Sequence, residues 1–342
     1  MAKVSIKDVA KLAGVSPTTV SRVINNSDHP VSDKSRKAVE EAVQELNFQP
    51  NRMAQGLSSN KSNIIGVIVH DISDDYFAEI LKGIESVLYN YDYIVNIYNT
   101  YRDVDKELKA VNMLRANSAD ALVFTGGSLL DEHYKEKMKD YINGLKKEGC
   151  FILGVTAHPD IETIDLGNFE ATKEICRYLF INGHRNIAYV HGPKILNTSR
   201  DRYKGFLEAH KDEGVVFDEN YLYESDFSFE GGRMLALKII EKIDKVTAIV
   251  ASNDETALGI LWELKNQGYN VPEDISLVGI GNIPSTRYSY PPLTTISLPI
   301  YQIGVTIGKR IINSLQKGED IEIELDSKIE LVERESVKKI NY

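Results

Sequence analysis

SIKDVAKLAGVSPTTVSRVIN, residues 5–25, reads as two short helices joined by a tight turn. Ser5 followed by Asp8 is a helix-start pair, in which the hydroxyl can accept a free backbone N–H while the carboxylate reaches back. Ile6, Val9, Ala10 and Ala13 recur at helical spacing, and Gly14 can turn the corner. A second helix starts at once. Ser16 is a good N-cap, and Pro17 suits the first helical position, where its missing N–H costs nothing. Val20, Val23 and Ile24 give this helix an apolar face, leaving Pro17, Thr18, Thr19, Ser21, Arg22 and Asn25 pointing elsewhere. That surface is short, polar and nearly free of acids, as an element entering the major groove of DNA needs to be. Spacing alone fits an ordinary small helical domain equally well.

The residues say more than the spacing. DVAKLAGVSPTTVSRVIN closely resembles the N-terminal helix-turn-helix of the lactose-repressor (LacI/GalR) family of bacterial regulators. The resemblance continues through LNFQPNRMAQGLSS and over nearly all the remaining chain. It implies a homodimeric, sequence-specific repressor of carbohydrate-use genes, bound to a near-palindromic operator in double-stranded DNA. Ser5, Ile6, Ser16, Pro17, Thr18, Thr19, Ser21, Arg22 and Asn25 then form the DNA-facing set of the head. Arginine is the side chain best suited to guanine, so Arg22 is the choice for direct readout.

Charge agrees once it is divided. The 342-residue chain carries a formal net charge of −10, but residues 1–60 hold eight Lys/Arg against six Asp/Glu, a balance of +2 that leaves −12 for the rest. Phosphate repels an acidic body, so only the head should touch DNA, and binding should weaken as salt rises. With 42% hydrophobic residues the chain has ordinary cores, and it shows neither a membrane span nor an export signal, so a cytoplasmic protein is expected. Cys150 and Cys176 lie in apolar runs and read as reduced core residues rather than a disulfide or metal site.

Residues 34–46, with Ala38, Val39, Ala42, Val43 and Leu46 on one stripe, should close a three-helix head over residues 1–49. Residues 50–62 are weakly helical by composition and read, on their own, as a linker. The resemblance implies instead a hinge helix that forms on the operator, with Asn51 and Ala54 matching the family pattern and Leu57 prying open the central base step. From residue 63 strand and helix alternate, which implies parallel sheets with helices on both faces. The expected fold class is therefore an all-α helix-turn-helix head plus an α/β body of two Rossmann-like lobes, of the type I periplasmic-binding-protein kind. The first lobe should take in about 63–163 and 293–324, and the second about 164–292 and 325–342.

In open parallel sheets, ligands bind beyond the carboxyl ends of the strands. Those ends here carry residues 71–77, Thr125 with Gly126, residues 199–202, Phe227, Asn253 with Asp254, and Gly281 with Asn282. Aromatic faces beside bidentate hydrogen-bonding groups suit a neutral, many-hydroxyl ligand. By resemblance the effector, a sugar or sugar phosphate, would meet Tyr76, Phe77, Arg200, Arg202, Phe227, Asn253 and Asp254, and strand-end position adds Thr125. Asp254 could equally cap its helix, and Arg202 could pair with an acid. Many sugar-responsive relatives carry an aspartate where this chain has Gly281, which implies a bulkier, phosphorylated or differently recognised ligand. One branch of the family takes a phosphorylated carrier protein as co-regulator, on the helix matching residues 301–310. Tyr301 and Lys309 fit that partner and Gln302 departs from it.

Enzyme classes find little support. No histidine pair has metal-helix spacing, and there is no P-loop, no G-x-S-x-G and no G-x-G-x-x-G after the first strand. His70–Asp71 could serve as acid–base groups, but polar strand ends are equally expected in a binding cleft. No cofactor or metal is expected. The rival from another class, a soluble sugar-binding module for transport or sensing, fits the body and leaves the head without work.

Overall fold

The computed structural model describes residues 4–24, 29–48, 62–318 and 328–340. Asn25, Asn51, Ala54 and Leu57, and with them almost all of the expected hinge, lie outside these residues. The chain divides into two units, 1–62 and 63–342.

In the first unit α1 (Ile6–Ala13), α2 (Pro17–Ile24) and α3 (Asp33–Glu45) follow the apolar spacing. The Asp8 carboxylate reaches back to accept from the Ser5 N–H (2.9 Å) and also from the Ser5 hydroxyl (2.7 Å), which closes the expected capping box. Gly14 closes α1 at φ 67°, and Ser16 Oγ accepts from the Thr19 N–H at 3.1 Å to start α2. Ser32 likewise starts α3 by accepting from the Ser35 N–H. Val9, Ala10, Val20, Val23, Val39 and Ala42 close the core between the three helices.

The second unit alternates strand and helix because its strands are short apolar runs and each helix start carries a polar cap. The first half comprises β1 (Ile64–Val69), α4 (Asp75–Leu88), β2 (Ile94–Asn99), α5 (Val104–Ala116), β3 (Ala121–Phe124), α6 (Glu132–Lys147), β4 (Phe151–Val155) and β5 (Glu162–Ile164). The second comprises α7 (Asn168–Ile181), β6 (Ile187–His191), α8 (Asn197–Asp212), β7 (Leu222–Glu224), α9 (Phe229–Ile240), β8 (Ala248–Ala251), α10 (Asp254–Asn266), β9 (Ser276–Gly281) and β10 (Thr294–Ser297). The tail supplies α11 (Ile300–Ile312) and β11 (Glu330–Val332).

Among the described residues the strands form two sheets, β2-β1-β3-β4-β5 and β11-β10-β9-β8-β6-β7, parallel throughout except for the antiparallel β10–β11 pair. Strand order reverses between β1 and β3 and again between β6 and β8, so each lobe has a switch point where loops diverge and leave a crevice. β10 pairs with β9, Thr294 opposite Val278, and so belongs to the second sheet. The return to the first lobe therefore lies after Ser297 and not at residue 293. α11 then packs along α4, burying Ile303, Ile307 and Ile311 in a core shared with Ile80 and Ile84. α6, which the sequence reading passed over, buries Tyr134, Met138, Ile142 and Leu145 against the first sheet.

The lobes meet at a short backbone bridge. Leu129, after β3, pairs antiparallel with Leu196, before α8. The Leu130 N–H donates to the Ile195 carbonyl (2.6 Å), and the Asn197 N–H to the Ser128 carbonyl (3.2 Å).

Candidate functional site

On α2 of the head, Pro17 and Thr18 are exposed, while Ser21 and Arg22 are half-buried at its flank. Ser16 and Thr19 hydrogen-bond each other through their hydroxyls at 2.9 Å, which ties both to the helix start. Ile6 packs half-buried against the head's core rather than standing clear of it.

In the body, the loops that follow the strands enclose a cavity with about 600 Å³ of empty space, its open mouth included. From the first lobe His70, Asp74, Tyr76, Phe77 and Arg102 line it; from the second come Leu196, Thr198, Arg202, Phe227, Asn253, Asp254 and Glu255.

Phe227, held at φ 71°, is the platform. Arg102 and Arg202, from opposite lobes, approach its ring with their guanidinium carbons 5.7 and 5.9 Å from the centroid. Such placement is attractive because the ring face is electron-rich. Arg202 is buried; its Nε donates to Asn168 Oδ1 at 2.8 Å and its Nη1 to the Ser252 carbonyl. Asn253 caps α10 by accepting from the Thr256 N–H (3.2 Å), and its amide donates to the Phe227 carbonyl (2.9 Å), so one residue sets both the helix and the platform.

Asp254 is buried and accepts from Thr295 Oγ1 (2.6 Å) and the Ile283 N–H (3.0 Å). Burial raises its carboxyl to about 6 against those bonds. Its carboxylate fills the space that Gly279 and Gly281 leave: a Cβ on Gly279 would overlap Oδ1, and one on Gly281 would lie 3.1 Å from Oδ2. Position 281 has φ 141° as well, so a side chain there would be strained.

Two expected residues lie elsewhere. Arg200 is exposed and pairs with its neighbour Asp201 at 3.3 Å. Thr125 is buried behind the wall, its hydroxyl donating to the Ile68 carbonyl (2.8 Å) and its carbonyl accepting from Tyr76 Oη (3.2 Å). Arg102, Thr198 and Glu255 were not singled out in the sequence. Arg102 lies three residues after the end of β2, and strand-end logic applied to that strand would have reached it. Glu255 is half-buried, and burial together with Asp74, Asp75 and Asp254 raises its carboxyl to about 7. Burial also raises Asp74, which caps α4 through the Tyr76 N–H at 2.9 Å. Among the described residues no group of His, Cys, Asp and Glu is arranged to hold a metal. Cys150 and Cys176 are free and buried, which raises both thiols.

The chain is 34% identical over 341 residues to the HTH-type transcriptional repressor PurR of Mannheimia succiniciproducens, an alignment covering 98% of this chain and 99% of that one. It belongs to the lacI family. Residues 5–51 match "Bacterial regulatory proteins, lacI family", and residues 176–337 match "Periplasmic binding protein-like domain". Catabolite control protein A of Priestia megaterium is 31% identical over 340 residues, again with 98% of this chain and 99% of that one covered. Among solved structures, the lac repressor dimer bound to operator and the anti-inducer ONPF superposes with a TM-score of 0.82, at 27% identity over 98% of this chain and all of that one. This lacI-family chain is accordingly a DNA-binding transcriptional regulator with a helix-turn-helix head and an effector-binding body. Its matched relatives are regulators rather than enzymes. No helix among the described residues is long and apolar enough to cross a membrane.

Proposed function

We propose that this regulator is a cytoplasmic homodimer that represses carbohydrate-use genes and is controlled by a small sugar-like effector held between the lobes of its body. The observation that carries the reading is the Phe227 platform, flanked by Arg102 and Arg202 and ringed by Tyr76, Asn253 and Thr198. That is an aromatic face beside groups able to distinguish hydroxyls. Each head reads one half of a near-palindromic operator through α2. Pro17 makes apolar contacts, Thr18 and Arg22 base or phosphate contacts, and Ser5, Ile6, Ser16, Thr19, Ser21 and Asn25 support them. A hinge containing Asn51, Ala54 and Leu57 reads the centre.

The dimer is supported by an apolar face on the second lobe, where Phe229, Met234, Leu237 and Trp262 are exposed on α9 and α10, and by exposed Ile94 and Ile97 on the edge strand β2. Regulation follows from linkage: an effector that prefers one lobe arrangement shifts DNA affinity by its differential binding, and DNA shifts effector affinity equally. A phosphorylated carrier protein as co-regulator is the second reading, and what favours it is that Tyr301 and Lys309 are both exposed on α11.

The test is selection of genomic fragments by the purified protein, repeated with sugars and sugar phosphates. A palindrome beside a sugar operon, released or tightened by one compound, is the expected result. Scattered sites indifferent to every compound would favour the carrier protein, and no enriched site would overturn the reading.

A further inference from the structure

The proposed effector site leaves His70 without a role, although this ring lines the cavity with only 4% of its surface exposed. One edge, Nε2, faces Glu107 Oε2 at 3.6 Å. Glu107 has no exposed surface and accepts from Tyr134 Oη (2.6 Å) and Thr100 Oγ1 (3.2 Å). Burial works to raise its carboxyl, but His70 and Tyr134 outweigh burial and hold it below its ordinary value. Gly126 lies over the face of the ring, and its lack of a side chain lets the backbone pack there: a Cβ would lie 2.6 Å from Nδ1 and 2.5 Å from Cε1. Phe77 closes the flank edge-on, 5.8 Å away. No group among the described residues hydrogen-bonds Nδ1.

The facing carboxylate can only accept, so the Nε2–H tautomer is the one it favours, and that tautomer leaves a lone pair at Nδ1. Three carboxylates, Asp74, Asp254 and Glu255, line the same cavity against the two guanidinium groups of Arg102 and Arg202, so a further negative charge is unwelcome there. We propose that His70, its tautomer fixed by Glu107, is the specificity-determining acceptor of the cavity, and that the effector is an uncharged compound presenting a hydroxyl or N–H donor to Nδ1. The inference rests on the reading of the cavity as the effector site. Glu107 acts through His70 and is a positioning residue.

The first readout needs no ligand. In the full chain labelled with nitrogen-15 histidine, at about neutral pH, the His70 ring, identified by its loss in His70→Asn, is expected as the neutral Nε2–H form. Glu107→Gln, whose amide can donate to Nε2, should populate the Nδ1–H form. An imidazolium, or an Nδ1–H ring in the unaltered protein, overturns the proposal. The second readout is calorimetry with ribose, glucose, cellobiose and their phosphate esters. A neutral sugar should bind, weaken about ten- to a hundredfold in His70→Phe and Glu107→Gln, and recover in part in His70→Asn, whose Oδ1 can stand for Nδ1. Tighter binding of a phosphate ester overturns the proposal. Phe227→Ala separates the two readings. Binding untouched by it removes the cavity as the site; binding lost in Phe227→Ala but kept in His70→Phe and Glu107→Gln leaves the site and overturns the role of His70.

Discussion

The two walls of the inter-lobe cavity are built alike, from loops at strand ends, and completed differently. On the second-lobe wall Arg202, Asn253 and Asp254 are each anchored by two bonds within the fold, to Asn168 and Ser252, to Thr256 and Phe227, and to Thr295 and Ile283. On the first-lobe wall Asp74 makes a single helix cap, Arg102 Nε is buried without a partner, and His70 Nδ1 has no hydrogen bond to the described residues. A wall whose polar groups are satisfied holds its shape without a ligand. One whose groups are not satisfied gains bonds when a ligand arrives. The second lobe therefore contributes more of the cavity's fixed shape, and the first more of its unsatisfied groups.

Breaking the second wall should have the largest effect. Arg202→Ala strands the Asn168 amide oxygen and the Ser252 carbonyl in a buried site and should destabilise the body by about 2–4 kcal/mol, read by urea unfolding of the full chain. Asp254→Ala should cost about 1–3 kcal/mol by orphaning Thr295 Oγ1 and the Ile283 N–H, and Asp254→Asn should cost less because its amide oxygen still accepts. If either loss matched that of an exposed site, the second wall would not be the rigid one.

Glu255 is the exception on that wall, and its behaviour is a matter of pH. Its folded value near 7 stands above the ordinary 4.5. The folded state therefore suffers no penalty below pH 4.5, loses stability as pH rises from 4.5 to 7, and carries the full penalty above. Glu255→Gln should match the unaltered protein near pH 4.5 and melt higher at pH 8, by about 2–4 °C for each kcal/mol recovered. The smallest changes belong to exposed or unpartnered arginines. Arg102→Ala should alter effector response while shifting stability by under about 1 kcal/mol, and Arg200→Ala should change neither, staying within about 0.5 kcal/mol. An effector defect in Arg200→Ala would return that residue to the site.

Much of the fold was legible because its signals are local. Ser5 with Asp8, Gly14, Ser16 with Pro17, and Ser32 mark the helix ends of the head, and the structure uses each of them. α6 was not read because its apolar residues Tyr134, Met138, Ile142 and Leu145 are scattered among charged neighbours. The place of β10 was beyond local reading, since a four-residue strand is assigned to a lobe by its pairing partner. In the cavity, strand-end logic reached Tyr76, Phe77, Arg202, Phe227, Asn253 and Asp254. It could not separate Arg200 from Arg202: residues two apart on a helix face nearly opposite ways, and which one turns inward depends on where α8 begins. It begins at Asn197.

The backbone bridge between Leu129 and Leu196 gives lobe opening a clock. The amide hydrogens of Leu130 and Asn197 are held by carbonyls of the opposite lobe, so neither can exchange with solvent deuterium through these bonds until the lobes part. Helix amides inside either lobe have no such requirement. The ratio of the two exchange rates therefore measures how often the cleft opens, and a compound that slows Leu130 and Asn197 without slowing the helices is one that holds the lobes together.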